Sequence, residues 1–255
     1  MITIKNAREI QFMRKSNALV ALILDEIHDM IKPGVIAFDL NAKAEEIIRD
    51  HKAESAFKGY VMDDLDPYKY AICASVNDEI VHGYSTKDKI LKDGDIIGID
   101  VGVKMNGFCG DAARTFVVGS ITKNVRFLLD CTKKALNNAI MQCRPGNRIG
   151  DISASIEETA LENGLHVADW LTGHGIGRTL HEDPMIPNVG KKGTGPILKP
   201  GMTLSIEPMF NIGTSKTVEK EWVFYTMDGS PSAHFENTIL ITENEPEILT
   251  KTRSS

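Results

Sequence analysis

The chain has 255 residues, of which 42% are hydrophobic and 25% charged, and its formal net charge is −6. This is an ordinary globular composition, long enough for one large domain or two small ones. Because the charge is negative overall, no basic surface is implied and direct binding of nucleic acid is not expected.

The N-terminal segment predicts an amphipathic helix, because residues recur at helical spacing at Ile10, Met13, Asn17, Val20, Leu24 and Ile27. Asp25 and Glu26 interrupt its apolar part and no small-residue cleavage site follows, so a signal peptide is not expected. No stretch approaches the roughly 18 apolar residues of a membrane span. The four cysteines fit neither a paired-cysteine zinc site nor a disulfide framework, which is typical of a reducing compartment. We predict a cytoplasmic protein without membrane contact.

Two sequence patterns occur twice in the same order. Residues 30–53 and 142–165 both read as a helix end, a basic-Pro-Gly stop and a second, acidic helix. Later, "LKDGDIIGIDVG" (91–102) matches "LKPGMTLSIEPM" (198–209), each a turn followed by a strand-like run with a carboxylate. Chance recurrence of Pro-Gly turns could explain one such match, but it explains two matches in the same order less well.

The repeat predicts a single domain, 1–255, made of two related halves of about 1–119 and 120–255. In each half, helices precede strands. This order favours an α+β fold in which helices cover one face of a largely antiparallel sheet.

The first pair of candidate site residues is Asp100 and Asp111. The Asn-Gly pair at 106–107 is a hairpin signal. If 95–105 and 108–118 are paired strands, the two carboxylates lie opposite each other or nearly so. Either could cap a turn or pair with a basic residue, but burying both is costly unless a cation neutralises them.

Glu207 and Glu236 also lie in strand-like apolar surroundings, in the second half. Four such carboxylates suggest one metal centre where the halves meet. The glycine-rich stretch "TGHGIGRTLHEDP" (172–184) adds His174. An imidazole with carboxylates suits manganese, ferrous iron, cobalt or zinc, and the lack of thiolates argues against a structural zinc cage. Five ligands are too many for a single zinc ion. They fit two divalent ions that activate a shared water and polarise a carbonyl, as in two-metal hydrolases.

Five motifs stand in order along the chain: "IDVG", "GFCGDAARTF", "GHGIGRTLHEDP", "SIEPM" and "FENT". Together they resemble the methionine aminopeptidases, of the short (type I) kind that has no long insertion between 174 and 207. The resemblance covers nearly the whole chain. It implies the duplicated pita-bread fold of that metallopeptidase superfamily and a dinuclear site whose ligands are Asp100, Asp111, His174, Glu207 and Glu236.

The same resemblance implies three catalytic roles. Glu207 takes a proton from the attacking water, and His181 donates toward the scissile carbonyl as the oxyanion forms. His82 lies near the scissile amide nitrogen. A lone histidine is more often a satisfied structural residue, but the motifs reverse that preference here. We expect Gly173, Gly175 and Gly177 to let the backbone turn tightly, so that both histidines of this stretch face the centre.

The resemblance also implies a methionine pocket lined by Tyr68, Cys73 and Trp222, whose apolar and aromatic surfaces suit a thioether. Three departures bear on its shape. Leu180 stands where the family often has an aromatic residue, Cys109 where histidine is frequent, and the loop 59–73 is longer than usual and acidic.

The implied activity is metal-dependent removal of the N-terminal methionine from nascent proteins with a small second residue. The partners would be N-termini of nascent polypeptides, with transient proximity to the ribosome, and we expect a monomer. One alternative is a proline-specific aminopeptidase or prolidase; those usually carry a sizeable N-terminal domain, whereas the repeat here begins almost at residue 1. Another is a binding module that has lost its metals, which would be expected to lack ligands.

Overall fold

The structure, a computed structural model, describes residues 1–62 and 65–253. Its helices come in two pairs, and each pair precedes a group of strands in the sequence. Within those residues the helices are α1 (Ala7–Met30), α2 (Ala37–Asp50), α3 (Lys123–Met141) and α4 (Ile149–Glu162). The strands are β1 (Glu54–Ser55), β2 (Ile72–Val76), β3 (Glu79–Val81), β4 (Ile96–Met105), β5 (Phe108–Val117), β6 (His166–Val167), β7 (Thr172–Gly175), β8 (Glu182–Pro187), β9 (Thr203–Ile206), β10 (Met209–Asn211), β11 (Thr217–Lys220), β12 (Val223–Thr226), β13 (Ser232–His234), β14 (Asn237–Leu240) and β15 (Glu247–Ile248).

Helix α1 begins at a capping box, in which the Asn6 side chain accepts from the Glu9 N–H and the Glu9 carboxylate accepts from the Asn6 N–H. The stripe predicted from the sequence is buried from Met13 to Ile27. Its polar member, Asn17, donates to the carbonyl of Met13 and accepts from the N–H of Asp111. The helix therefore also holds the backbone of a candidate metal ligand.

Strands β4 and β5 form the hairpin predicted from the sequence, with Asn106 and Gly107 at positive φ in the turn. Asp100 pairs with Ala113 and Gly102 with Asp111, so the two carboxylates are diagonal neighbours on one face. Strand β4 also pairs with β2 and β1, and every pairing in this sheet is antiparallel.

The second large sheet has five antiparallel strands in the order β15-β14-β9-β7-β8. His174 lies on β7, between Ser205 of β9 and Met185 of β8. Two smaller three-stranded sheets, β13-β10-β6 and β11-β12-β3, complete the strand pairing. The strands are antiparallel and the helices stand apart from them in sequence, so the α+β prediction is confirmed.

Two apolar cores lie between helices and strands. One packs α1 and α2 against β2 and β4, and the other packs α3 and α4 against β9 and β14. None of the helices in the described part of the chain is long and apolar enough to cross a membrane.

The turns after α1 and α3 repeat each other in detail. Gly34 and Gly146 both have φ of 90°. The N–H of Gly34 donates to the carbonyl of Leu91 at 2.8 Å, and that of Gly146 to the carbonyl of Leu198 at 3.1 Å. These are the positions that the two sequence patterns place in correspondence. The bounds of the two halves stay a prediction.

Candidate metal centre and active site

All ten residues singled out in the sequence line one pocket between the two large sheets. They are the five proposed ligands Asp100, Asp111, His174, Glu207 and Glu236, together with His82, His181, Tyr68, Cys73 and Trp222. The remaining lining residues are Phe57, Tyr60, Met62 and Leu180. One end of the pocket is therefore acidic and the other apolar.

The carboxylates reach the pocket from both sheets. Asp100 and Asp111 come from β4 and β5, Glu207 directly follows β9, and Glu236 directly precedes β14. Single ligand atoms of Asp111, His174 and Glu236 lie within 4.8 Å of one another. This spacing suits coordination of a common cation.

The orientation of His174 leaves one ring nitrogen free for such a cation. Its Nδ1 lies 2.9 Å from the carbonyl oxygen of Gly175, and since a carbonyl can only accept, Nδ1 carries the proton. Nε2 then carries a lone pair and lies 3.5 Å from Oε1 of Glu207 and 3.7 Å from Oδ2 of Asp111. A backbone carbonyl behind the ring is a usual partner of a metal-binding histidine.

Burial raises the pKa values of all four carboxyl groups, and repulsion between carboxylates adds to it for three of them. Burial is the larger cause for Asp100, Asp111 and Glu207, and the charge of Glu236 adds to it. Burial also raises the pKa of Glu236 to about 7, against the opposing effects of the Ser205 hydroxyl and Arg114. Like charges in a desolvated site are stable together only with protons or a cation between them.

The protein itself supplies little compensating charge. Within residues 1–62 and 65–253, the ion-pair contacts of these carboxylates are with histidines, and burial lowers the pKa of His174 and of His234 to about 3. The buried guanidinium of Arg114 hydrogen-bonds to the carbonyl oxygens of Ala113 and Glu236 and to the side chain of Asn237.

Two carboxylate oxygens, Oδ1 of Asp100 and Oδ1 of Asp111, are buried without a hydrogen-bond partner among the residues that the structure describes. Buried polar atoms in this state call for an ion or water. Four carboxylates, one oriented imidazole and these orphan oxygens therefore fit divalent metal ions.

The other two histidines stand beside this cluster. His82 follows β3 at a positive φ of 59° and packs edge-on against Trp222 and Phe224. Burial, followed by the nearby His181, lowers the pKa of His82 to about 4. The His181 ring is perpendicular to that of His174, with centroids 4.4 Å apart, and its own pKa is lowered by burial. The rings of His82 and His181 are therefore neutral near pH 7.

The glycines around His174 act differently from our expectation. Gly173 and Gly175 are strand residues of β7 without positive φ, so the prediction of a tight turn there is wrong. A Cβ at Gly173 would lie 2.4 Å from the carbonyl oxygen of Ser205, and one at Gly175 would lie 2.1 Å from that of Asp183. These glycines let β9 and β8 pack closely on either side of His174.

The apolar end of the pocket is aromatic. Tyr68 and Trp222 meet edge to face at 5.4 Å, and Cys73 is buried beside them. The indole N–H of Trp222 donates to the carbonyl of Asp66 at 2.8 Å, and the Tyr68 hydroxyl donates to the carbonyl of Gly83 at 2.9 Å. Both polar tips are satisfied, leaving ring surface for an apolar ligand.

The three departures from the family pattern have different positions. Leu180 lines the pocket, whereas Cys109 is buried in the core beside it and burial raises the pKa of its thiol to about 11. Of the acidic loop 59–73, Asp63 and Asp64 lie outside the described residues.

Sequence reasoning missed two polar neighbours of the centre, Tyr60 and His234. The Tyr60 hydroxyl lies 2.7 Å from Nδ1 of His181. His234 is buried, and its Nε2 lies 3.6 Å from Oε2 of Glu207 and has no hydrogen-bond partner in the described part of the chain. Strand register shows that His234 pairs with Met209 as Asp111 pairs with Gly102, but the repeated sequence patterns end at Gly102 and Met209 and therefore gave no signal for His234.

Comparison with known proteins shows the family. Residues 11–243 match metallopeptidase family M24. A methionine aminopeptidase of Clostridium acetobutylicum is 43% identical over 252 residues, which are 98% of this chain and 99% of that protein. The chain belongs to the methionine aminopeptidases. Methionine aminopeptidase 1 of Bacillus subtilis is likewise 43% identical, over 98% of this chain and 100% of that protein. The chain is therefore a metallo-aminopeptidase.

Solved structures give the same family and fold. The crystal structure of methionine aminopeptidase from Thermotoga maritima superimposes with a TM-score of 0.95 at 47% identity, covering 98% of this chain and all of that one. A prolidase from Pyrococcus furiosus superimposes with a TM-score of 0.79 at 25% identity, but this chain covers only 66% of it. The pita-bread fold implied by the motifs is thus confirmed, shared with both groups and matched over full length by the methionine aminopeptidase.

Proposed function

We propose that this aminopeptidase removes the N-terminal methionine from nascent proteins whose second residue is small, using two divalent metal ions. One observation carries the proposal: four carboxylates and an oriented imidazole converge at one end of an apolar pocket, where the ion-pair contacts of these carboxylates within residues 1–62 and 65–253 are with histidines. The ligands would be Asp100, Asp111, His174, Glu207 and Glu236. Carboxylate oxygens with an imidazole suit manganese, ferrous iron, cobalt or zinc.

When bound, such ions would activate a water molecule and polarise the scissile carbonyl. Glu207 would take the proton of that water, and the position of its carboxylate in the pocket beside Nε2 of His174 supports this role. His181 would donate toward the carbonyl oxygen as negative charge develops there. His82, whose ring packs against Trp222, would lie near the scissile amide nitrogen.

The substrate methionine would occupy the apolar end of the pocket. Tyr68, Cys73 and Trp222 present ring faces and a thiol, surfaces against which a flexible thioether packs well. Larger or charged side chains would meet buried aromatic walls with few polar partners. The pocket therefore selects methionine by shape and apolar contact.

The remaining expectations about the setting of this enzyme come from the sequence and the family. Its partners would be N-termini of nascent polypeptides, encountered in transient proximity to the ribosome. A cytoplasmic location and a monomeric state are part of the same proposal, as is the absence of membrane and nucleic-acid binding.

A peptide and metal series tests the proposal. Metal-free protein would be loaded separately with manganese, ferrous iron, cobalt or zinc and assayed on Met-Ala-Ser, Leu-Ala-Ser and Ala-Pro-Ser. We expect release of methionine alone, with about two ions bound per chain at full activity. Cleavage of the Xaa-Pro peptide in preference to Met-Ala-Ser, or full activity with no bound metal, would contradict it.

A further inference from the structure

A tyrosine hydroxyl contacts one of the two ring nitrogens of His181. The oxygen of Tyr60 lies 2.7 Å from Nδ1 of His181, and the two rings meet edge to face with centroids 5.4 Å apart. The other ring nitrogen, Nε2, has no hydrogen-bond partner among the described residues. It is therefore the nitrogen available to a ligand in the pocket.

Tyr60 is held firmly in this place by its own backbone. Its N–H donates to the carbonyl of Phe57 at 2.8 Å, and its carbonyl accepts from the N–H of Tyr68 at 2.9 Å. A second hydrogen bond joins the same two segments, because the N–H of Gly59 donates to the carbonyl of Tyr68 at 2.8 Å. These backbone hydrogen bonds fix the start of the 59–73 loop. The ring of Tyr60 packs edge-on against Trp222.

A phenol hydroxyl can donate to an unprotonated Nδ1 or accept from a protonated one. When it donates, the proton of the neutral imidazole stands on Nε2, where it can be given to a substrate oxygen. His174 shows the opposite arrangement, because the Gly175 carbonyl behind it forces the proton onto Nδ1 and leaves Nε2 as a lone pair. Donation by the Tyr60 hydroxyl would therefore give the neighbouring rings of His174 and His181 opposite tautomers.

We propose that Tyr60 is a positioning residue that donates to Nδ1 of His181, fixing the Nε2–H tautomer and the ring orientation needed to donate to the substrate carbonyl. The catalytic consequence rests on the proposed function of His181, whereas the tautomer itself does not. The long loop after Tyr60 thus begins at a residue of the active site.

The test is Tyr60→Phe, which keeps the ring and its contacts with His181 and Trp222 and removes only the hydroxyl. Tyr84→Phe is the matched control, since Tyr84 packs against Tyr68 in the same aromatic group but bonds Glu221 rather than a histidine. In metal-free protein labelled with nitrogen-15 at histidine, spectra correlating ring nitrogens and carbons assign the tautomer of His181. We expect Nε2–H in the wild type and in Tyr84→Phe, and a mixture or the Nδ1–H form in Tyr60→Phe.

Kinetics supply the second readout. Tyr60→Phe should lower kcat on Met-Ala-Ser by roughly 10–100-fold, the range for groups that orient a functional histidine, with KM and metal content nearly unchanged. In a His181→Ala background the same substitution should have no further effect, because the residue it positions is gone. An Nδ1–H wild type, or equal losses in both backgrounds, would overturn the proposal. A wild type that releases no methionine would instead refute the proposed function, and the spectra would still decide the tautomer.

Discussion

His174 and Asp111 bring Nε2 within 3.7 Å of Oδ2 although they belong to different sheets. Asp111 lies on β5 of the sheet in the first half, and His174 on β7 of the sheet in the second. The sheets are joined here by the Thr238 hydroxyl, which donates to the carbonyl of Asp111 at 2.8 Å, and by the N–H of Glu236, which donates to the carbonyl of Ala113 at 2.9 Å. The candidate centre therefore exists only in the folded chain.

Asp111→Asn should abolish metal binding and activity without unfolding the protein. The carboxylate offsets metal charge in a buried site, so its loss should exceed the roughly 10–100-fold cost typical of substitutions one step further from a metal. Bound metal would be measured by elemental analysis after gel filtration, alongside methionine release. Full occupancy with full activity would show that Asp111 is not a ligand.

The stability of the metal-free form provides the control for that variant. Replacing one of four mutually repelling carboxylates with a neutral amide removes repulsion, so metal-free Asp111→Asn should unfold at the same temperature as wild type or higher. Added metal should raise the unfolding temperature of the wild type and not that of the variant. A variant that melts well below the metal-free wild type would mean that Asp111 has mainly a structural role.

Glu236→Gln should change how stability depends on pH in the metal-free protein. The pKa of Glu236 is about 7 in the folded protein against an ordinary 4.5, so the folded state binds the proton more tightly. Its contribution is fully present below pH 4.5 and is lost as the pH rises to about 7. Across this window the wild type should therefore lose unfolding free energy relative to the variant. Denaturant titrations at a series of pH values, with chelator present, measure the difference, and parallel curves would contradict the assignment.

His181→Ala should separate catalysis from metal binding. Its donor matters most when charge develops on the carbonyl oxygen, and losing one such donor typically lowers turnover on the order of a hundredfold or more. Metal content should stay at the wild-type level. If the variant lost its metal together with its activity, His181 would be a ligand and its proposed role would be wrong.

Much of the fold and of the site could be predicted because the signals are local. The Asn106-Gly107 turn and the alternation around it specify the β4–β5 hairpin, and the hairpin register places Asp100 beside Asp111. The ordered motifs then supply the remaining candidate ligands, which line the same pocket. Each of these inferences needs only neighbouring residues, or a family pattern that preserves their order.

Contacts made across the fold could not be predicted in the same way. Tyr60 precedes a loop of unusual length, and nothing in its neighbouring residues indicates that its hydroxyl meets His181, more than a hundred residues later. Gly173 was expected in a turn because glycine clusters are typical of turns. The structure needs glycine there for space between strands, a property of packing that a single sequence does not display.

Gly175→Ala should destabilise the protein through that packing. The new Cβ would lie 2.1 Å from the carbonyl oxygen of Asp183, so β8 must move. Overpacking of this kind typically costs about 1–3 kcal/mol. Gly98→Ala is the matched control, because it is also a strand glycine without positive φ and its Cβ would meet its nearest neighbours at 3.7 Å. Thermal or denaturant unfolding of both variants should show a loss for the first alone, and equal stabilities would contradict the close-packing argument.

The second residue of the substrate should be selected in graded steps. His82 and His181 would stand beside it, and Trp222 and Phe224 pack against His82, so added side-chain atoms meet firm walls. Each methylene in such a site is worth only about 1–3 kcal/mol, so kcat/KM should fall from Met-Ala-Ser through Met-Val-Ser to Met-Ile-Ser rather than stop abruptly. Leu180→Phe tests whether the methionine side chain and the second residue are selected independently. We expect it to narrow the proposed methionine side of the pocket and to change kcat/KM for all three peptides by a similar factor. A flat profile across the three peptides would refute the crowded walls, and a Leu180→Phe variant that altered their ratios would place Leu180 beside the second residue instead.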